Sequence, residues 1–193
     1  MYPTSPKPDK IISLSNKIKE WGYFKVGSYW IMRDSVTGFL DSVYVQSVST
    51  SFHKYYTLSD SNILAEETTI NFGFNANMPL FLGQLKLASY PYDYISEQVY
   101  CTEYSIFIID STKIGGNGSG IILNKEAGNY QVLSNDYANV RLINESFKFA
   151  CHSGPQVWIR ESYYWVKKIG MIKKRRTVES LQVYELLRYK IYQ

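Results

Sequence analysis

Histidine and cysteine are scarce in this 193-residue chain: His53 and His152, Cys101 and Cys151 are all it has. None of the four forms a ligand pair at the spacings typical of zinc sites, so no metal centre of that kind is expected. Cys151 and His152 are adjacent, which invites a thiolate and base reading, but neighbours on an extended strand point to opposite faces. The chain also lacks any run of about 18 apolar residues, so no transmembrane helix is predicted, and no charged segment followed by an apolar one opens it as a signal peptide would. Acidic residues are scattered, with Glu66 and Glu67 the one adjacent pair. Paired carboxylates for hydrolysis meet in space rather than in sequence, so a hydrolase with dispersed carboxylates stays open without positive support. The glycine-rich stretch at 115–120 has no Lys-Ser or Lys-Thr after its last glycine and no helix pattern behind it, so it reads as an exposed turn and not a phosphate cradle. Asn117-Gly118-Ser119 and Asn144-Glu145-Ser146 match the N-glycosylation pattern, but such triplets arise often by chance. No catalytic set emerges, and no cofactor is expected.

What the chain has in quantity is tyrosine. Aromatic residues reach 16%, led by 18 Tyr, beside 45% hydrophobic and 20% charged residues. That balance can bury a core, and aromatic and β-branched side chains fit the half-buried surface of a sheet. Short runs follow one another at 29–33, 42–46, 51–58, 68–74, 80–88, 98–109, 120–123, 130–133, 140–149 and 156–165, separated by Gly, Asn, Asp or Pro. The fold predicted is mainly β: an antiparallel meander sheet, able to curl into a partial or half-open barrel, with at most one or two short helices. Asp34 to Gly38 reads as a hairpin turn needing a positive φ, and the alternation after it puts Val43 and Val45 on one face. A helix is expected near 13–21, where Ile18 and Trp21 are one turn apart. At the C-terminus, strand spacing places Leu181, Val183, Leu187, Tyr189 and Ile191 on one apolar face. Residues 1–10, with three prolines, read as an extended tether ahead of a single domain over 11–193, either the form a chain takes once an export signal is removed or an ordinary frayed N-terminus.

Lys and Arg number 21 and Asp and Glu 17, giving +4, and the excess is local. Residues 160–176 hold seven cations against Glu161, a balance of +6, which leaves −2 for the rest. With no protein-wide basic field, nucleic acid is not an expected partner, although a cytoplasmic binding module using this segment is a further alternative. Trp158, Tyr163, Tyr164 and Trp165 adjoin the same run and could stack a sugar or base; alternation sends Tyr163 and Trp165 to one face and Tyr164 to the other, which makes half of the cluster core. Lys167, Lys168 and 173–176 read as solvated turn and edge residues. Cys101 and Cys151 could close a disulfide loop in an oxidising compartment, or stand as two separate buried thiols.

Two segments resemble a family. Phe24 to Trp30 with Asp34-Ser35-Val36-Thr37-Gly38 and Asp41 to Val45 is similar to the opening of uncharacterised exported lipoproteins of Gram-negative bacteria. Tyr163 to Lys174 and Tyr184 to Ile191 are similar to their closing strands, and Asp136 to Val140 fits between. The resemblance implies a β-rich lipoprotein body in the periplasm or at the cell surface, tethered to the inner or outer membrane by a lipid anchor if a lipobox cysteine lies upstream. It implies a non-enzymatic binding or assembly module for a glycan, lipid or protein, and brings no catalytic residues with it. Gly170 in this resemblance sits where a sheet bends or bulges.

Overall fold

A computed structural model describes residues 7–56, 62–74, 83–90, 94–99, 102–108, 121–149, 157–177 and 181–193. The chain is mainly β. Its elements run β1 (Lys10–Ile12), α1 (Asn16–Gly22), β2 (Tyr29–Asp34), β3 (Leu40–Tyr56), β4 (Asn62–Phe74), β5 (Gln84–Ala88), β6 (Tyr94–Val99), β7 (Thr102–Ile108), β8 (Ile121–Val132), β9 (Asn135–Phe149), β10 (Val157–Val166), β11 (Gly170–Thr177) and β12 (Leu181–Lys190). They form a 12-stranded sheet in the order β7-β6-β5-β4-β3-β2-β12-β11-β10-β9-β8, with β1 parallel on β4 and every other ladder antiparallel. The chain thus runs out along one arm from β2 to β7 and returns along the other from β8 to β12. Among the described residues no ladder joins β7 to β8, so the sheet is open there.

Short as it is, α1 decides the shape. Ser15 caps it by accepting from Ile18 N–H (3.1 Å), and Ile18 and Trp21 are buried. A helix of 7 residues cannot stand alone in water, so packing must hold it. On one side Gly22 lies against Leu87 of β5 and Ile95 of β6, where a Cβ would come 2.7 and 2.8 Å from their methyls. On the other side Trp165 Nε1 of β10 donates to the Trp21 carbonyl (2.7 Å), Lys168 N–H donates to the Glu20 carbonyl (2.6 Å), and the Arg141 guanidinium of β9 sits 4.9 Å over the Trp21 ring. These partners belong to opposite arms, so the sheet curls around the helix into a half-open barrel with α1 plugging one end. The β10–β11 turn, the start of β2 and the end of β12 share that plugged end. The β2–β3 turn lies at the far end. Asp9 and Asn62 exchange bonds at the start of β4 (2.8 and 2.7 Å), so the N-terminal segment is fixed before residue 10 and approaches from the plugged end.

The buried core runs from Leu14, Ile18, Trp21 and Phe24 through Met32, Ile70, Leu85 and Ile95 to Val140, Ile143, Tyr163 and Trp165. Val43 and Val45 share the buried face. The hairpin turn is as expected: the Asp34 carboxylate accepts from Val36 N–H (2.8 Å), Thr37 N–H (3.4 Å) and the Thr37 hydroxyl (2.9 Å), and Gly38 takes φ +74. Gly170 also has positive φ, +89, next to the bulge in the β10–β11 ladder, with the Phe24 ring 3.0 Å from where its Cβ would be.

Three expectations need correction. Runs separated in the sequence are single long strands: β3 is unbroken from Leu40 to Tyr56 and β8 from Ile121 to Val132, with bulges rather than turns along them. In β12 the strand is as expected, but its buried face is not, and a bulge after Leu186 breaks the two-residue period. Tyr184 and Leu186 are buried while Leu181, Leu187 and Tyr189 are exposed, since it is Tyr184 that stands opposite core-facing Lys174 and Asp34. Finally, 173–176 do not form an edge: β11 lies between β10 and β12, and Lys174 is 2% exposed.

Candidate functional site

Residues directly opposite one another on neighbouring strands share a face of the sheet. The register Asp34, Tyr184, Lys174, Tyr163 therefore crosses β2, β12, β11 and β10 as one row on the concave side, toward the far end. Arg176 and Glu161 form the next row outward, and Asp41 of β3 stands opposite Met32. Asp34, Asp41, Glu161 and Lys174 are all buried. The interior at the plugged end is apolar, whereas the interior toward the far end is lined with ionisable side chains.

Glu161 is the centre of this constellation. Lys174 Nζ approaches it at 3.1 Å and Arg176 Nε at 3.2 Å, and the Tyr163 hydroxyl donates to it. The Arg176 approach is an ion pair by distance that lacks the alignment of a hydrogen bond. Lys174 Nζ also lies 4.7 Å over the Tyr163 ring. Tyr184 sits between this group and the two aspartates; burial raises its pKa, as do the charges of Asp34 and Asp41, against the opposing pull of Arg176. Asp41 takes Ser42 N–H on Oδ1 (2.7 Å), while its Oδ2 is buried without a hydrogen-bond partner among the described residues.

Two cations and a hydroxyl converge on the Glu161 carboxylate and occupy both of its oxygens. Asp34 is consumed by its own turn. Of the three described interior acids in this group, Asp41 keeps one oxygen without a hydrogen-bond partner.

The aromatic cluster divides as expected. Tyr163 and Trp165 lie on one face and Tyr164 on the other, but all three are buried, Tyr164 with its ring 4.4 Å from that of Tyr130, so more of the cluster is core than the alternation suggested. Burial raises the Tyr164 pKa, helped by the hydrogen bond with Tyr130 and opposed by Arg175. The side chain of Trp158 lies outside the described residues. The basic run is split between faces: Lys174 and Arg176 turn inward to Glu161, Lys173 turns outward to Glu185 (2.9 Å), and Lys167 pairs with Glu20 (3.1 Å).

His53 lies on an exposed face with Ser51 Oγ at 3.0 Å and Glu67 Oε1 at 3.5 Å, both measured to Nε2. A serine and an acid sharing one ring nitrogen cannot relay a proton through the ring. Cys101, Cys151 and His152, and with them the disulfide and the thiolate reading, lie outside the described residues, as does the 115–120 stretch. No group of three metal-ligating side chains occurs among the described residues. In comparisons with known proteins, no family model, curated protein or solved structure matches this chain.

Proposed function

We propose that this chain is an extracytoplasmic, lipoprotein-type module that works without catalysis, binding or assembling with a glycan, lipid or protein at the far end of its half-open barrel. One observation carries the reading: five ionisable side chains, Asp34, Asp41, Glu161, Lys174 and Arg176, converge on the inner wall at that end. Burying charge costs several kcal/mol per ion unless it is paired, so a scaffold with no other use for these positions is better served by apolar residues. Around them the rim carries exposed apolar groups, with Val36, Phe39 and Leu40 on the hairpin tip and Leu181 at the start of β12; Ser35 N–H donates to the Val183 carbonyl and ties the two together. Charge inside and apolar contact outside suit recognition of an amphiphilic partner. The similarity of residues 24–45 and 163–191 to exported lipoproteins, and the approach of the N-terminal segment from the opposite end, support a body tethered at one end and binding at the other.

Two measurements test this. Thermal melts with a neutral oligosaccharide, an anionic oligosaccharide and a lipid dispersed in detergent should each be run on the protein and on Arg176→Gln. One class should raise the wild-type Tm and lose its effect in the variant. No shift with any class would count against binding at this end. Metabolic labelling of the gene in its own host should incorporate palmitate, and labelling-free protein confined to the cytoplasm would refute the lipoprotein reading.

A further inference from the structure

The plugged end carries an asymmetry that the far-end reading does not use. Residues 16–27, 167–170 and 187–193 hold Lys17, Lys19, Lys25, Lys167, Lys168, Arg188 and Lys190 against the single acid Glu20, a balance of +6 in a chain of net +4. These three segments form one surface. Lys25 N–H donates to the Tyr192 carbonyl (2.8 Å) and Lys25 Nζ to the Gln193 carbonyl, Gly27 packs under the Tyr192 ring, and the 167–168 turn is bonded to Glu20 through Lys168 N–H and Lys167 Nζ. Exposed apolar side chains stand in the same place: Val26 is 60% exposed and Tyr192 43%. Lys190 Nζ lies 5.1 Å over the Tyr192 ring.

We infer that this end is a docking surface for an anionic lipid bilayer. Charge complementarity selects that occupant: a cluster of cations with one counter-charge is drawn to an anionic leaflet, and long lysine side chains reach headgroups while an aliphatic group and tyrosine rings enter the interface. Apolar groups at the centre of the surface add contact that salt does not screen, which a purely ionic partner would not use. The inference needs no covalent anchor and stands apart from the far-end reading, so either can fail alone.

Flotation of the full chain with vesicles tests it. The protein should partition onto phosphatidylcholine vesicles containing phosphatidylglycerol and not onto phosphatidylcholine alone, and the binding should weaken with salt. Lys25→Gln and Lys190→Gln should each lower the partition coefficient about five-fold. Val26→Ser should remove the part that survives high salt, while Lys125→Gln, an exposed lysine of β8 outside this surface, should change nothing. A melt of each variant reports folding, and these exposed positions are chosen because they should leave it intact. Equal partition onto both vesicle types, no partition at all, equal loss in Lys125→Gln, or displacement of the vesicles by a single-stranded oligonucleotide would each overturn the inference.

Discussion

Glu185 and Lys173 face each other on the convex side at 2.9 Å, and Ser35 Oγ gives Glu185 a second bond at 2.6 Å. Burial by itself pushes the Glu185 carboxyl up, but the bonds from Lys173 and Ser35 outweigh it and the pKa is lowered. For Lys173, burial pulls downward and is outweighed by Glu185 and Tyr130, so its pKa is raised. A carboxyl with a depressed folded pKa contributes stability that is present above its unfolded value, about 4.3, and lost as pH falls through the folded one. A raised lysine contributes stability present below about 10.4 and lost as pH rises through its folded value. The pair therefore stabilises the protein between those limits. Glu185→Gln should lower stability by about 1 kcal/mol at pH 7, and the difference from wild type should shrink in urea denaturation at pH 3. Lys174 is a harsher case, because its removal leaves Glu161 buried with Arg176 as its one remaining cation. Lys174→Met should cost about 3 kcal/mol or more, read from the same denaturation curves at pH 7.

At the scale of elements, α1 and the β2–β3 hairpin each depend on a glycine, for different reasons. Gly22 is needed for space: a Cβ there meets Leu87 and Ile95, which are fully buried and cannot withdraw. Gly22→Ala should destabilise by about 1–3 kcal/mol through overpacking and loosen α1 from the β5–β6 arm, visible as faster amide exchange of residues 18–22. Gly38 has nothing within 4 Å of its would-be Cβ, and only its φ of +74 restricts substitution. Gly38→Ala should cost about 1–2 kcal/mol in denaturation without disturbing α1 exchange. The Gly38 turn was legible because Asp34 and Gly38 carry their own local chemistry, and so was α1, because Ile18 and Trp21 declare a helical face. The buried face of β12 was not. Leu181, Leu187 and Tyr189 outscore Tyr184 and Leu186 in apolar count, and only the register with Lys174 and Asp34 shows that the polar-looking side is the inner one. The long strands were broken in the reading for a similar reason, since a bulge at 45–47 or 126–130 looks locally like a turn.

For the whole molecule, the sheet class could be read from two-residue alternation, but its closure could not, because nothing local states that β2 meets β12 or that one helix touches both arms. The far-end constellation was hidden for the same reason. Asp34, Asp41, Glu161, Lys174 and Tyr184 are spread over positions 34 to 184 and meet only through strand order. One trace of it was available: Glu161 and Tyr163, like Lys174 and Arg176, are spaced by two on consecutive strands, which predicts like-facing opposite charges. The cysteines raise a prediction at this scale too. Intact-mass measurement without reductant should show the loss of two hydrogens, about 2 Da, and a bridge closing a loop of about 50 residues would add roughly 4 kcal/mol; two freely labelling thiols in the folded protein would exclude it.

The curl of the sheet around α1 is what sets the plugged end against the charged one, and proton NOEs test it directly. A single sample should show contacts from Gly22 Hα to the methyls of Leu87 and Ile95, together with contacts from the Trp165 indole N–H to Trp21. Contacts from α1 to one arm alone would mean a flat sheet with no interior, and would contradict the account.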